Sequence, residues 1–453
     1  MITKSSMVFA IATLAAGAAF AAVSADEAKQ LGTTLTPTGA EKAGNKDGTI
    51  PEWTGGMTTV PAKYQKGSNL RVDPFADEKP RLVITGKDIA ANADKLTEGT
   101  KELLKRHPTM RVDVYPTHRT FNFPARIVEN VKKNATSAKT TDGGLGVENL
   151  MPGFPFPIPK TGNEAMWNHL LNYRGIGWNA KFDSWNVDSS GRPTLSTAGE
   201  ATYAWPMYDP KKAEIVKATD PFFYGKFQYL QPARRNGEAL LIWDSTNPLA
   251  QGRRAWQYLP GQRRVRLSPD VAYDTPNATT GGANTYDDSS IFNGAMDRFD
   301  FKLVGKKEMI VPYSNYKLTY FAKAADVTTP GHLNPDAVRW ELHRVWVVEA
   351  TLKPGKRHVY SKRLFYIDED SWVAVASDQY DASGQLYRSS FSYSSFSYDI
   401  PATWIDTMAF YDFSGGLYAV IGMTGQYKGI KYLGEMPPES FWSPEQLAGT
   451  GVR

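Results

Sequence analysis

The chain reads as an α+β protein that is mainly β, with a helical, loop-rich N-terminal part followed by one large antiparallel sheet. Three observations predict this. From about residue 195 onward apolar residues recur with a period close to two, as where Phe299, Phe301 and Leu303 alternate with Asp300 and Lys302. These runs are β-branched and aromatic, and Gly, Pro, Asp and Asn separate them at short intervals, as at Lys353-Pro354-Gly355 and Asp381-Ala382-Ser383-Gly384. Helical spacing, in contrast, falls before about residue 175. Strands so closely spaced form an antiparallel sheet, meandering or closed, and not a β-α-β fold.

The elements follow in order. Lys4 and the apolar run 7–22, with Val23 and Ala25 at the small-residue positions of a cleavage site, predict a secretory signal peptide over 1–25. With no Cys at the site, the mature chain is expected to be soluble, exported and without a lipid anchor. Residues 26–85, rich in Gly, Thr and Pro, read as an extended N-terminal arm. Residues 86–453 read as a single domain, with helical segments at about 86–175 and the main sheet at about 195–435. Ile89, Ala93, Leu96, Leu103 and Leu104 predict a helix over 86–107, stopped by Pro108. A short strand, Met110–Tyr115, precedes a helix from about Ala125 to Lys139. The four Gly and four Pro of residues 141–160 demand a loop. A third helix, Glu164–Tyr173, places Trp167, Leu170 and Leu171 on one side. Within the sheet, Trp340, Leu342, Trp346 and Val348 alternate with Glu341, His343, Val347 and Glu349, and Arg344 interrupts the apolar face.

Composition narrows the function classes. Of 453 residues, 41% are hydrophobic and 12% aromatic, a globular composition large enough for one large or two ordinary domains. The absence of Cys excludes a disulfide framework, a thiolate metal site and a Cys nucleophile. A net charge of +5, or +4 once Lys4 leaves with the signal, does not suggest nucleic acid, although a local basic patch suits an anionic ligand. No later stretch reaches the 18 apolar residues of a membrane span.

Catalytic signatures are missing: there is no G-x-S-x-G elbow, H-E-x-x-H, Walker loop or G-x-G-x-x-G. His107, His118, His169, His332, His343 and His358 show no metal-ligand spacing, so no metal and no cofactor is expected. Asn45-Lys46-Asp47-Gly48 resembles part of a calcium loop. With Gly48 at position 6, however, Ala43 and Thr54 fall where oxygen ligands are required, which leaves an Asp-Gly turn. His343 and Glu341 share a strand face, which fits either a base with its orienting carboxylate or a paired polar face. Asp287-Asp288 reads as solvated loop charge. The segment 256–266 is more informative. Trp256 and Tyr258 share one face, Pro260-Gly261 turns the chain, and Arg264 and Arg266 share a face with Val265 and Leu267 opposite. Two guanidinium forks so placed suit the anionic head group of a ligand, or else a solvated outer face.

The same hairpin, WQYLPGQRRVRL at 256–267, resembles that of the outer-membrane lipoprotein-sorting (LolA/LolB-like) carriers, as do Ser290–Phe299 and the strands at 346–351 and 366–372. Over nearly the whole mature chain the resemblance is closer to the domain-of-unknown-function 1329 family of Gram-negative exported proteins. Leu35–Gly56 looks like its N-terminal signature and Lys353–Tyr366 like its C-terminal one. The resemblance implies a strongly curved, incompletely closed antiparallel β-barrel with covering helices. It also implies a periplasmic, non-enzymatic carrier of lipid, lipoprotein acyl chains or another hydrophobic ligand, acting towards the outer membrane and peripheral to it. On that reading Trp256, Tyr258, Phe299, Phe301, Trp340, Trp346, Phe391 and Phe396 line the ligand cavity and Arg264 and Arg266 meet the head group. A periplasmic hydrolase using His343, and an accessory subunit docking to an outer-membrane protein or efflux-type transporter, stay open as alternatives.

Overall fold

The computed structural model describes residues 23–212 and 215–450. The signal peptide expected over 1–25 lies, but for its last three residues, outside the described residues. A sheet of 16 strands organises the rest. In chain order these are β1 (Leu82–Ile84), β2 (Val112–Tyr115), β3 (Gly177–Val187), β4 (Pro193–Ala204), β5 (Pro221–Gln231), β6 (Ala239–Ser245), β7 (Arg254–Leu259) and β8 (Arg264–Leu267). There follow β9 (Phe299–Pro312), β10 (Trp340–Leu352), β11 (Lys362–Asp368), β12 (Ala374–Tyr380), β13 (Leu386–Ser392), β14 (Met408–Asp412), β15 (Leu417–Met423) and β16 (Lys431–Tyr432).

The strands pair in the order β1-β2-β10-β11-β12-β13-β14-β15-β3-β4-β5-β6-β7-β8, with β9 beside β10 and β16 beside β3. This is two meanders, β3–β8 and β9–β15, joined where β15 pairs antiparallel with β3 and Tyr418 stands opposite Val187. The curved sheet does not close, because β8 has only β7 as a neighbour and β1 only β2. The join carries a register shift between Val420 and Met423. There Gly422 has φ +67° and a Cβ on it would stand 1.9 Å from the Asp406 carbonyl oxygen, so the close approach requires glycine.

Three helices pack on the second meander and its surroundings. In α1 (Glu98–Arg106) Thr97 caps the N-terminus, and the backbone N–H groups of Glu98 and Gly99 both donate to the buried Asp378 carboxylate at 3.0 Å. Helix α1 rests on β13. In α2 (Ala125–Ser137) Ile127, Val131 and Ala135 are buried, and Asn130 and Asn134 donate to the carbonyls of Pro152, Met151 and Phe154. Those bonds satisfy three carbonyls of the Gly/Pro loop, whose first part, 139–148, pairs with itself as a short hairpin. Helix α3 (Gly162–Leu170) starts with a Thr161–Glu164 capping box and lies against β9 and β10.

Two boundaries differ from the sequence expectation. The segment 86–107 is not one helix: two 3₁₀ turns, Gly86–Asp88 and Ala90–Asn92, come first, and the α-helix starts only at Glu98, after its Thr97 cap. The continuous run of sheet strands begins at Gly177, not near 195, and β1 and β2 join the same sheet from further upstream. On β3 Trp178, Ala180, Asp183, Ser184 and Val187 are all buried, so both faces are covered and no clean alternation marks the strand. Residues 29–81 contain turns and isolated bridges but no helix or strand, and β10–β12 hold them through side chains described below.

Candidate ligand cavity

The first meander builds a wall whose two faces follow from its register. Along the pairs Trp178↔Tyr203, Ala180↔Ala201, Ala201↔Phe227 and Phe227↔Leu240, one face carries an aromatic and aliphatic surface from β3 to β6. Opposite residues share a face, so the same surface continues from Leu240 to Gln257 on β7 and to Arg266 on β8, with Arg264 opposite Leu259. The other face carries Leu241, Trp256, Tyr258 and Val265. It is sealed by the C-terminal segment through Trp442 and Leu447, the latter on α4 (Glu445–Thr450).

On the first face lies a partly open cavity of about 100 Å³, lined mainly by apolar side chains. Trp178, Phe182, Tyr203, Phe227, Leu240 and Ile242 form its wall, and Trp404, Met408 and Ile421 face them from the β14–β15 region. The long connection 268–298 supplies Asn277, Thr279, Tyr286 and Ser289. That connection is tied down at several points. Ser196 Oγ donates to Thr279 O at 2.5 Å, Arg388 Nη2 to Gly282 O at 2.9 Å, and Arg253 pairs with Asp244 while donating to Asn293 O. A shallower depression shares Tyr229, Leu240 and Tyr286 with the cavity and leads past Gln257 and the exposed Arg234.

One polar group stands out in this lining. Asp406 is buried, and it accepts from Ser290 Oγ at 3.2 Å and lies 3.8 Å from Arg174 Nη1, while its Oδ2 has no partner. Burial pushes its carboxyl up and the buried Arg174 guanidinium down. Trp178 Nε1, another lining group, also lacks a partner.

The structure places the residues singled out in the sequence as follows. Arg264 and Arg266 are exposed on the cavity face, at the free edge of the wall, and Arg266 donates only a long 3.4 Å bond to Gln257 Oε1. Trp256 and Tyr258 lie on the opposite face, packed under the C-terminal segment. Phe299 and Phe301 sit in a ring cluster with Phe292 and Phe365. Trp340 stacks edge-on against Phe391 at 5.7 Å, Phe396 against Phe121 at 5.4 Å, and Trp346 lies parallel to Trp372 at 6.3 Å. None of these eight aromatics lines the cavity; the wall is made instead by β3–β6 residues whose alternation runs unbroken into filled core. Asp287 and Asp288 are not solvated. Both are buried against Arg363, at 3.0 and 2.7 Å, with His358 and Tyr360 completing the group, and the arginine neutralises charge that the sequence presents as a bare loop. Asn45 Oδ1 accepts from Ile50 N–H and Gly48 has φ +68°, the geometry of a side-chain-stabilised turn.

His343 and Glu341 are both buried and hydrogen-bonded at 3.0 Å, beneath Tyr313, whose ring stacks on the imidazole at 3.6 Å. They belong to a polar clamp on the second meander that grips the N-terminal arm. Arg119 pairs with Asp370 and donates to the carbonyls of Glu41 and Lys42, Arg344 donates to Ala43 O, and Trp372 Nε1 donates to Thr38 O. The segment 35–56 thus docks directly on the segment 366–372. Among the described residues His343, Asp368 and Asp370 are the group placed to hold a metal ion.

The family described as "Protein of unknown function (DUF1329)" matches residues 83–448. An uncharacterized protein of Pseudomonas aeruginosa is 42% identical over 446 residues, 97% of each chain. A solved DUF1329 family protein from Desulfovibrio piger aligns with TM-score 0.41 at 16% identity, over 60% of this chain and 92% of its own. A domain from Vibrio parahaemolyticus described as an outer membrane lipoprotein-sorting protein aligns with TM-score 0.44 at 14% identity, over 64% of this chain and 98% of its own. No helix among the described residues is long and apolar enough to cross a membrane.

Proposed function

The chain belongs to the DUF1329 family, and from that premise we propose that it is an exported, periplasmic carrier for an amphiphile with a hydrophobic body and an anionic head. The observation that supports this reading is the continuity of one sheet face, from the apolar wall at Trp178, Tyr203, Phe227 and Leu240 to the exposed guanidinium groups at Arg264 and Arg266. Each methylene of a ligand removed from water there contributes about 0.8 kcal/mol, so a lipid or acyl chain needs only an apolar slot and no catalytic group. At the edge, planar donor forks would meet a phosphate or carboxylate in water-exposed surroundings, fixing which end of the ligand faces out. Transfer towards the outer membrane, and any outer-membrane or transporter partner, belong to the same proposal.

The deciding experiment is intact-mass measurement of the gently purified mature protein under native conditions. A discrete added mass, lost on denaturation and extractable into organic solvent, is the expected result; a bare protein mass would count against a carrier. The head-group assignment has its own test. In Arg264→Glu/Arg266→Glu, affinity for an anionic amphiphile should fall roughly tenfold or more, about 1.4 kcal/mol, while a neutral analogue binds as before. Equal loss for both probes would place the head group elsewhere.

A further inference from the structure

A second site, remote from the carrier reading, lies in the polar clamp. His343, Asp368 and Asp370 are 1%, 0% and 4% exposed. One ligand atom from each lies within 4.8 Å of the others. His343 Nε2 faces Glu341 Oε2 at 3.0 Å, which orients the ring and turns Nδ1 towards Asp368 Oδ1, 3.9 Å away. That separation is too long for a hydrogen bond, and Asp368 Oδ1 is buried with no hydrogen-bond partner. The other oxygen, Oδ2, is fully engaged by Tyr313 Oη at 3.1 Å and by Ser371 Oγ and N–H at 2.5 and 2.9 Å. An imidazole nitrogen and a carboxylate oxygen therefore confront each other across a gap, in a place where a lone buried acceptor is costly.

Charge balance gives an independent argument. Among the described residues the ion pairs around this point fall into two sets: Glu41, Glu369 and Asp370 balance Arg119, Lys306 and Arg344, whereas Glu78, Glu341 and Asp368 meet Arg339 and the imidazoles of His118 and His343. In the second set, which holds His343 and Asp368, the carboxylates outnumber the permanent cation by two. The surroundings also have the form of a metal site's outer layer. A carboxylate holds the far nitrogen of the histidine, and Arg119 holds Asp370 at 2.9 and 2.6 Å through lone pairs that leave others free.

We propose that His343 Nδ1, Asp368 Oδ1 and an Asp370 carboxylate oxygen bind a divalent transition-metal ion of the zinc class, which fastens the N-terminal arm to the sheet. One imidazole and two carboxylates suit zinc or manganese better than softer or purely oxygen-seeking ions. The ion's role is structural. The segment that carries Asp368 and Asp370 also carries Glu369, whose carboxylate accepts from the arm's Glu41 N–H at 3.2 Å, and Trp372, which holds Thr38. Metal binding would therefore add to the stability of the arm–sheet contact.

The test uses the full mature chain, stripped with chelator and titrated with Zn²⁺ alone. One equivalent should bind and raise the melting temperature, and Co²⁺ should give visible d–d absorption with an imidazole ligand. Asp368→Asn should weaken Zn²⁺ at least 100-fold. Because that variant alters a buried position, Glu341→Gln provides a second reading: it leaves the three ligands intact and should weaken Zn²⁺ by 10- to 100-fold as the ring loses its orienting partner. Absence of any Zn²⁺-dependent shift in the wild-type protein, or Zn²⁺ affinity unchanged in both variants, would overturn the site. Amphiphile binding should be the same with and without metal, so failure here is separable from failure of the carrier reading.

Discussion

The two meanders use one sheet in opposite ways. The β3–β8 wall presents an apolar face with space in front of it and seals its other face with the C-terminal segment. In the β9–β13 half the sheet's aromatics pack ring against ring, and buried charges pair with each other and with the backbone of the arm. Identical alternation in sequence thus produces an apolar face with open space before it in one half and a fastening in the other. What separates them is what lies opposite each face, which is a long-range property.

That contrast predicts where mutations hurt. Arg119→Met should have the largest effect. It leaves Asp370 buried without its bidentate partner and frees the carbonyls of Glu41 and Lys42, a loss of about 3–5 kcal/mol that chemical denaturation would measure. A loss below about 1 kcal/mol would mean that the clamp is not a fastening at all. A matched truncation in the two halves comes next. Phe365→Ala, at a site with 0% exposure among Phe292 and Phe301, should cost about 3–5 kcal/mol. Phe227→Ala removes the same ring from a wall that already faces open space, so it should cost roughly half as much while enlarging the cavity. Equal costs would show that the wall is as tightly packed as the core.

How much of this was legible in the sequence depends on range. The hairpin at 254–267 was: alternation correctly set Arg264 with Arg266 and Trp256 with Tyr258. The side facing the cavity was not legible, because it is decided by β6 pairing with β5 and by a C-terminal segment some 180 residues further on. The start of α1 was misread because its apolar spacing extends back through two 3₁₀ turns, whereas the cap that fixes it is the single residue Thr97. Asp287 and Asp288 gave no hint of Arg363, since a buried ion pair closes over a separation that no local pattern encodes. The open sheet with covering helices came from family resemblance, and the strand pairing bears it out.

His169 tests the coupling between the halves through pH. It stands on α3, accepts from Ala374 N–H at 3.0 Å and donates to Ser290 O and Phe292 O, so it links the helix, β12 and the connection over the cavity. Complete burial pushes its pKa down to about 3. Below its ordinary pKa of about 6.5 the unfolded chain takes up a proton that the folded protein refuses. Stability is therefore lost as pH falls from about 6.5 towards 3, at about 1.4 kcal/mol per unit from this group. Buried carboxylates such as Asp378 and Asp406, whose pKa values are raised, push the other way, so the measurement is the difference in slope between wild type and His169→Gln. An identical pH dependence in the two proteins would remove His169 from the account.

The smallest effect on stability is expected where the functional effect should be large. Arg264 and Arg266 are exposed at a free sheet edge, and among the described residues their one side-chain hydrogen bond is the 3.4 Å contact of Arg266 with Gln257. Surface groups of this kind contribute within about 0.5 kcal/mol, so Arg264→Ser and Arg266→Ser should melt like the wild type. Had these side chains been selected to hold the fold, they would be paired, as Arg253 is with Asp244 at 2.7 Å on the same stretch of chain. Exposed charge at the rim of an apolar wall also has a salt signature. Binding of an anionic amphiphile should weaken as ionic strength rises, and the slope should flatten in the double Ser variant. A salt slope that survives both substitutions would move the head group to Arg234, along the depression that opens from the same cavity.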